Sequence, residues 1–476
     1  MSRFKWLSTL SKLPLIKMKK QPRLDYRNKI IMAPMVRVGT LPMRLLALEM
    51  GADIVYTEEL VDLKLIKSLR RPNPALNTID FVDPSDGTIV FRTCSLEKSR
   101  VVLQLGTSDA ARALAVGKLV QNDIAGLDIN MGCPKEFSIK GGMGAALLAD
   151  PEKAAHILQT LTSQLDIPIT CKIRILPDTL ETIKLVQTLA ATGIAAIGIH
   201  ARTRDERPQH RPHPDVLQAV ASAVDIPVIA NGGSRDMHTY EDLHKFQALC
   251  GADSVMVARA AQLNVSIFRK QGILPIDDVI CKYLRLCIDY DNAPHNSKYC
   301  VQSILKELQE TPRGKRFLQC QTLQQICDIW DLGDYCRRKQ QELKEHGNGG
   351  RANVILTECL AKRQRLELSD NLTDEYEGVI CRNMAFLRST YTSDTQLPKM
   401  ALYVLAGKLG KKPPSYETHR CDKLFRSICS YDGQRFSSSF WEKNKKQAEQ
   451  GAALVALLQL GHLKEQTLFD NGSLIS

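Results

Sequence analysis

The chain has 476 residues, 44% of them hydrophobic and 24% charged, which is the composition of a soluble globular protein with two or three domains. It contains no apolar run of membrane-spanning length, and its fourteen cysteines show neither the CxxC spacing of a zinc site nor that of a redox pair. An integral membrane protein, a metal centre and a disulfide-stapled secreted domain are therefore not expected, and the thiols read as reduced.

The net charge of +12 sits at the two ends. Residues 1–24 hold seven Lys or Arg and no acid, and residues 393–462 hold eleven against six acids, which leaves the long middle near neutral. A basic module beside a neutral body predicts a polyanion-binding appendage, with nucleic acid as the partner. Trp6, Leu10 and Leu13 lie at helical spacing in the first segment before Pro14. It reads either as a mitochondrial presequence or as a basic tail. The cytoplasm is the expected compartment, with mitochondrial targeting as the alternative, and a monomer is expected.

From Lys29 onward, short Ile/Val/Ala-rich runs alternate with amphipathic stretches of helical period. The runs cover residues 30–33, 53–56, 101–105, 126–130, 169–173, 196–200, 227–230 and 254–257. Continuous apolar character fits parallel strands buried on both faces. Helices are predicted over 41–49, 110–120, 151–165 and 182–191. Eight strand–helix units over this length predict an α/β fold of the TIM (β/α)8 barrel type. A doubly wound sheet would carry G-x-G-x-x-G at its first turn, and none is present.

In such a barrel the active site forms at the C-terminal ends of the strands. Polar residues gather at those ends here: Pro34-Met35-Val36, Glu58-Glu59, Gln104, Asn130 with Cys133, Lys172 with Arg174, His200 with Arg202, Asn231-Gly232-Gly233 and Ala258-Arg259. Taken singly, Gln104 could bond a loop, Lys172 could pair with Glu59, and His200 could be a satisfied core histidine. Cys133 lies on a Gly/Pro turn, where a thiol can act as acid or nucleophile, and the glycines of Lys140-Gly141-Gly142-Met143-Gly144 read as room for the main chain to approach a large ligand. Asn231-Gly232-Gly233 and Ala258-Arg259 follow the seventh and eighth strands, the usual phosphate site of the fold. With an amide at Gln104 for a flat heterocycle and Lys172 and His200 above it, the set points to flavin mononucleotide (FMN), whose reduced ring Lys172 would stabilise.

These elements, above all Asn130-Met131-Gly132-Cys133-Pro134, together with Ala33-Pro34-Met35-Val36, Cys171-Lys172-Ile173-Arg174, Ile199-His200-Ala201-Arg202 and Asn231-Gly232-Gly233, resemble the tRNA-dihydrouridine synthases. The resemblance covers residues 30 to about 259 and continues more weakly to about 340. The basic C-terminal module points within that family to the eukaryotic branch that acts on the uridine at position 20 of the D-loop and carries a double-stranded-RNA-binding domain. The resemblance implies that NADPH reduces FMN, that tRNA then enters with the uridine flipped out, and that hydride reaches C6 while Cys133 protonates C5. Pro34, Met35, Val36, Gln104, Lys172, His200, Asn231, Gly232, Gly233, Ala258 and Arg259 would hold the cofactor. Asn130 and Arg174 would grip the uracil, and Glu59 would contact flavin or substrate. An FMN-dependent oxidoreductase of small molecules and a non-catalytic tRNA-binding scaffold are the alternatives.

The expected domains are a basic N-terminal segment (1–24), the flavin-binding barrel (25–272), a helical domain (273–344), a linker (345–392) opened by Gly347-Asn348-Gly349-Gly350, the RNA-binding module (393–465) and a tail (466–476). Helices over 277–290, 296–310 and 322–332 make up the helical domain, and Lys282, Arg285, Lys298 and Lys306 on them could face phosphates. In the last module, helix 400–408, strands 415–421, 426–431 and 434–439, and helix 443–460 give the double-stranded-RNA-binding order. Lys399, Lys408, Lys445 and Lys446 are the expected RNA contacts, the last two at a helix N-terminus. The Gly-Pro-x-His loop typical of that domain is not recognisable between its first two strands.

Overall fold

The computed structural model describes residues 24–310, 312–346 and most of 378–474. The basic segment 1–23 and the glycines at 347–350 lie outside the described residues. The chain divides into two units at residue 356, a barrel unit and a C-terminal unit.

The barrel opens with β1 (Ile30–Met32) and β2 (Ile54–Val61). A three-stranded antiparallel sheet then intervenes, formed by β3 (Leu69–Asn73), β4 (Thr78–Val82) and β5 (Ile89–Cys94). The barrel resumes with β6 (Val101–Gly106), β7 (Gly126–Asn130), β8 (Ile169–Arg174), β9 (Ala196–His200), β10 (Val228–Asn231) and β11 (Ser254–Val257). All eight barrel strands pair in parallel, and β1 closes the ring on β11. This is the predicted TIM barrel. Its strands are hydrophobic on both faces because helices cover the outside while side chains fill the inside. β6 and β7, for example, are buried along their whole length.

The inserted sheet was not legible as strands, and buried ion pairs hold it. Arg44, on the helix Leu41–Met50, donates Nε to Glu97 Oε2 at 2.8 Å and Nη2 to the Arg92 carbonyl at 2.7 Å. Arg92 pairs bidentately with Asp80 at 2.6 Å and donates to the Tyr290 carbonyl. Such pairs are stable only when every donor is matched, as here.

The helical domain follows as Ile276–Asp289, Pro294–Leu305, Pro312–Gln319, Leu323–Ile329 and Gly333–Glu345, two more α-helices than predicted. Most of its expected phosphate-facing cations are already engaged. Lys282 pairs with Glu49 at 2.7 Å, Lys298 donates to the carbonyls of Leu318 and Cys320, and Arg285 lies over the Tyr335 ring.

In the C-terminal unit, the helix Pro398–Lys408, β13 (Ser415–Cys421), β14 (Leu424–Tyr431), β15 (Gln434–Ser438) and the helix Lys445–Gln459 match the predicted order. Pairing of β13 with β14 runs from Ser415↔Ser430 to Cys421↔Leu424, so only two residues separate them and a long inserting loop has no place. The boundaries differ from those expected. β12 (Val379–Arg382), inside the supposed linker, joins β15 in parallel as a fourth strand. Met384 behind it is fully buried and bridges Leu474, and the helix Glu465–Asp470 buries Leu468, so the supposed tail also packs into this core. Four isolated residues among polar neighbours give too short a pattern for a sequence to announce as a strand.

Candidate active site

The C-terminal ends of the barrel strands bring the predicted residues together, and the Cys133 turn is the most strongly built part. Asn130 ends β7, and its side-chain Oδ1 accepts the backbone N–H of Gly132 at 3.0 Å and of Cys133 at 3.1 Å. This Asx-type closure fixes the turn and leaves the thiol half-buried. Gly144 backs the turn from the other side. It adopts φ +59°, and a Cβ there would meet the Cys133 carbonyl oxygen at 2.7 Å and the Cys133 Cβ at 3.0 Å. Gly144 thus makes room for the Cys133 turn itself, whereas a Cβ at Gly142 would lie against Ser108.

Glu59, at the end of β2, faces this turn. Burial pushes its pKa up, although the neighbouring Asn130 amide, the Cys133 thiol and Lys135 each favour the ionised form. Glu59 Oε1 is buried with no hydrogen-bond partner among the described residues and sits against Gly106, where a Cβ would come within 2.7 Å of it.

The opposite part of the mouth is cationic. Lys172, two residues before the end of β8, has no carboxylate within ion-pair distance among the described residues, and burial, followed by Arg174, lowers its pKa to about 8. His200 is not a satisfied core histidine: its Nδ1 is buried and has no partner among the described residues. Burial first, then Lys172, Arg174, Arg202 and Arg259, hold its pKa well below the usual value, so the ring is neutral at pH 7. Arg202 is 1% exposed, gives Nη1 to the Gly232 carbonyl at 2.8 Å and Nε to the His210 carbonyl, and leaves Nη2 without a partner among the described residues. Sequence reading noted Arg202 in its motif but assigned it no role; its near-complete burial is the signal that sequence alone lacks.

Other predicted residues take defined places. Gln104 is buried on β6 and gives Nε2 to Asp128 Oδ2 at 2.8 Å, while Thr170 donates to Asp128 Oδ1 at 2.7 Å. The buried Asp128, whose pKa burial raises to about 6, fixes the Gln104 amide from below. Arg174 gives Nε to the Gly132 carbonyl and Nη1 to the Thr203 carbonyl, both at 2.9 Å, which ties it to the Cys133 turn. Met131 gives its backbone N–H to the Lys172 carbonyl at 2.8 Å, which carries the β7–β8 pairing one residue past Asn130 into the turn. Asn231 gives Nδ2 to the Met256 carbonyl, and Gly232 adopts φ +125°, which favours glycine. A Cβ at Gly233 would strike the Phe246 ring at 2.5 Å, so that glycine serves helix–strand packing. Pro34 and Met35 are half-buried in the loop after β1, with the Met35 carbonyl accepting the N–H of Gly39, and Val36 is exposed. Ala258 and Arg259 open the short helix Arg259–Leu263 after β11.

The C-terminal lysines differ in availability. Lys399 is bonded to Glu449 and lies over the Tyr416 ring at 4.5 Å, so its charge is already engaged. Lys445 stands 3.8 Å from Glu449 Oε1, and Lys446 is exposed; both follow the N-cap Asn444, which accepts the Gln447 N–H at 2.9 Å.

Two family models match the chain: "Dihydrouridine synthase (Dus)" over residues 31–287 and "Double-stranded RNA binding motif" over 398–460. Schizosaccharomyces pombe tRNA-dihydrouridine(20) synthase (NAD(P)+) is 40% identical over 293 residues, covering 60% of this chain and 60% of the relative. The Saccharomyces cerevisiae protein of the same description is 36% identical over 301 residues, covering 59% of this chain and 78% of the relative. A human tRNA-dihydrouridine(20a/20b) synthase-like protein (NAD(P)+) is 31% identical over 242 residues, 50% of this chain and 70% of its own length. Among the described residues no helix is long and apolar enough to cross a membrane, and no group of acidic, His or Cys side chains could hold a metal ion.

Proposed function

We propose that this chain, which belongs to the dihydrouridine synthase family, reduces the C5=C6 bond of a D-loop uridine in tRNA, at position 20. The observation that carries the reading is the Cys133 turn: a half-buried thiol, fixed by Asn130 and Gly144, at the mouth of a barrel whose far side holds Lys172, Arg174, Arg202 and Arg259 with no carboxylate in ion-pair contact among the described residues. A thiol held rigidly can protonate one carbon of a base, provided that the base has left its stack.

The mouth suits FMN. Among the described residues His200 Nδ1 and Arg202 Nη2 are buried polar atoms without partners, and Lys172, Arg202 and Arg259 gather around His200 as an anion would require. Gln104, Lys172 and His200 would hold the ring system. Asn231, Gly232, Gly233, Ala258 and Arg259 would surround the phosphate, with Pro34, Met35 and Val36 beside the ring. When bound, FMN supplies the hydride, and NADPH restores it. Lys172 adds positive charge beside the ring, and Arg174 braces the Cys133 turn against β9's loop through Thr203.

The C-terminal unit, in this reading, grips tRNA through Lys445 and Lys446, where side-chain charge adds to the free N–H groups of a helix N-terminus. Nucleoside mass spectrometry on unmodified tRNA incubated with the protein and NADPH tests the proposal. Dihydrouridine from the wild type and none from Cys133→Ala is the expected result. A yellow, NADPH-reducible protein that leaves every uridine intact would overturn it in favour of a small-molecule flavoenzyme.

A further inference from the structure

Cys133 can protonate a base once, after which it is a thiolate that needs a proton before the next cycle. The group placed to supply one is Glu59. It stands on β2, which pairs through β6 with the β7 strand that leads into the Cys133 turn, and the Cys133 thiol and the Asn130 amide lie near enough to its carboxyl to favour the ionised form. Its Oε1 is buried and has no partner among the described residues. The room for that oxygen comes from the absence of a side chain at Gly106, on the adjacent β6. A carboxylate kept permanently ionised would be expected to have both oxygens matched by donors. One orphaned oxygen instead suits a carboxyl group that carries a proton for part of the cycle. The titratable or charged groups facing it are Cys133 and Lys135, both from the turn after β7, whereas β6 offers only Gly106.

We infer that Glu59 is the proton relay behind Cys133: the protonated carboxyl donates to Sγ as the S–H proton moves to C5 of the base. This rests on the uridine-reductase reading above. The balance is complete. The base gains a hydride at C6 from the bound reductant and a proton at C5 from Cys133. The thiolate takes the Glu59 proton, and the carboxylate regains one from solvent when the product leaves. Glu59 acts only through the thiol, so its effect must vanish when the thiol is absent.

The test uses the full-length flavin-loaded protein and Glu59→Gln, Cys133→Ala and the double variant. The pre-reduced flavin is mixed with unmodified tRNA, and its single-turnover reoxidation is followed across pH. The expected result is a wild-type rate that falls as pH rises through the Glu59 ionisation. Glu59→Gln should be slower by about 100-fold, the scale of one general acid, and should lack that limb. It should bring no further loss in the Cys133→Ala background. In the resting protein, the infrared band of the protonated carboxyl that disappears in Glu59→Gln should shift in Cys133→Ala. A Glu59→Gln protein that keeps rate and limb, an equal loss with and without Cys133, or a carboxyl band indifferent to Cys133 would each overturn the relay. A wild type that tRNA does not reoxidise would instead overturn the uridine reading itself, and the relay with it.

Discussion

The side-chain oxygen of Asn130 accepts the backbone N–H of Cys133 at 3.1 Å and that of Gly132 at 3.0 Å, so the asparagine builds the turn on which the thiol stands. Sequence reading gave Asn130 to the uracil; its acceptor is already committed to the backbone. Asn130→Ala removes two hydrogen bonds at a largely buried site, a cost of about 1–3 kcal/mol. The larger effect should be on chemistry, because a loosened turn misplaces Sγ. Dihydrouridine formation should fall on the order of 100-fold, while flavin content and reduction by NADPH stay near wild type. Equal loss of flavin and activity, measured by absorbance and nucleoside analysis, would mean that Asn130 supports the barrel rather than the thiol.

Gly106→Ala offers a second probe of the same corner. The added methyl would lie 2.7 Å from Glu59 Oε1, and the nearest clash is with the end of a flexible side chain, so the carboxyl should swing aside at little cost in stability. Uridine reduction should drop with the thermal midpoint almost unchanged. A large fall in the midpoint with full activity per folded molecule would count against the steric account.

Asp128 should leave a signature in pH dependence. Burial raises its pKa from the usual carboxylate range to about 6, so the folded chain prefers the protonated form. For a raised acid, the folded state binds more protons than the unfolded one between those two values, and stability falls as pH rises through that window. The difference is worth about 3 kcal/mol, present in full below about pH 4 and lost above about pH 6. Asp128→Asn should flatten this slope, although it also sets an N–H against one of the two donors, Gln104 or Thr170. Unfolding midpoints compared between the two proteins from pH 4 to 7 check it; parallel curves would refute the assignment.

The barrel was legible because parallel strands covered on both faces must be short apolar runs, and all eight runs became strands. The inserted sheet escaped because β3 is Leu69-Arg70-Arg71-Pro72-Asn73, exposed and interrupted by proline, with Arg70 paired to Asp123 instead of an apolar residue turned inward. The site was legible in which residues gather, since strand ends face one mouth, but not in what each touches. That Gln104 meets Asp128, or that Arg174 meets the Gly132 carbonyl, follows from the register of β6 on β7 and of β7 on β8, which a single sequence does not display.

The lysines of the C-terminal unit should separate cleanly by their surroundings. Lys399 neutralises Glu449, a carboxylate only 8% exposed, so Lys399→Ala leaves that buried charge with only the more distant Lys445 as cation and should destabilise this unit by about 1–3 kcal/mol. Lys446 is exposed on the first turn of the helix Lys445–Gln459, with no ion pair among the described residues. Lys446→Ala should therefore leave stability unchanged yet weaken tRNA binding, and the slope of log affinity against log salt should shrink by about one unit if one phosphate contact is lost. Lys445 lies between the two, 3.8 Å from Glu449, and its replacement should show mainly the binding effect. Titrations at several salt concentrations with paired thermal melts distinguish these cases. A salt slope unaltered by Lys445→Ala and Lys446→Ala together would move the RNA surface away from this helix N-terminus, whatever the melts report for Lys399.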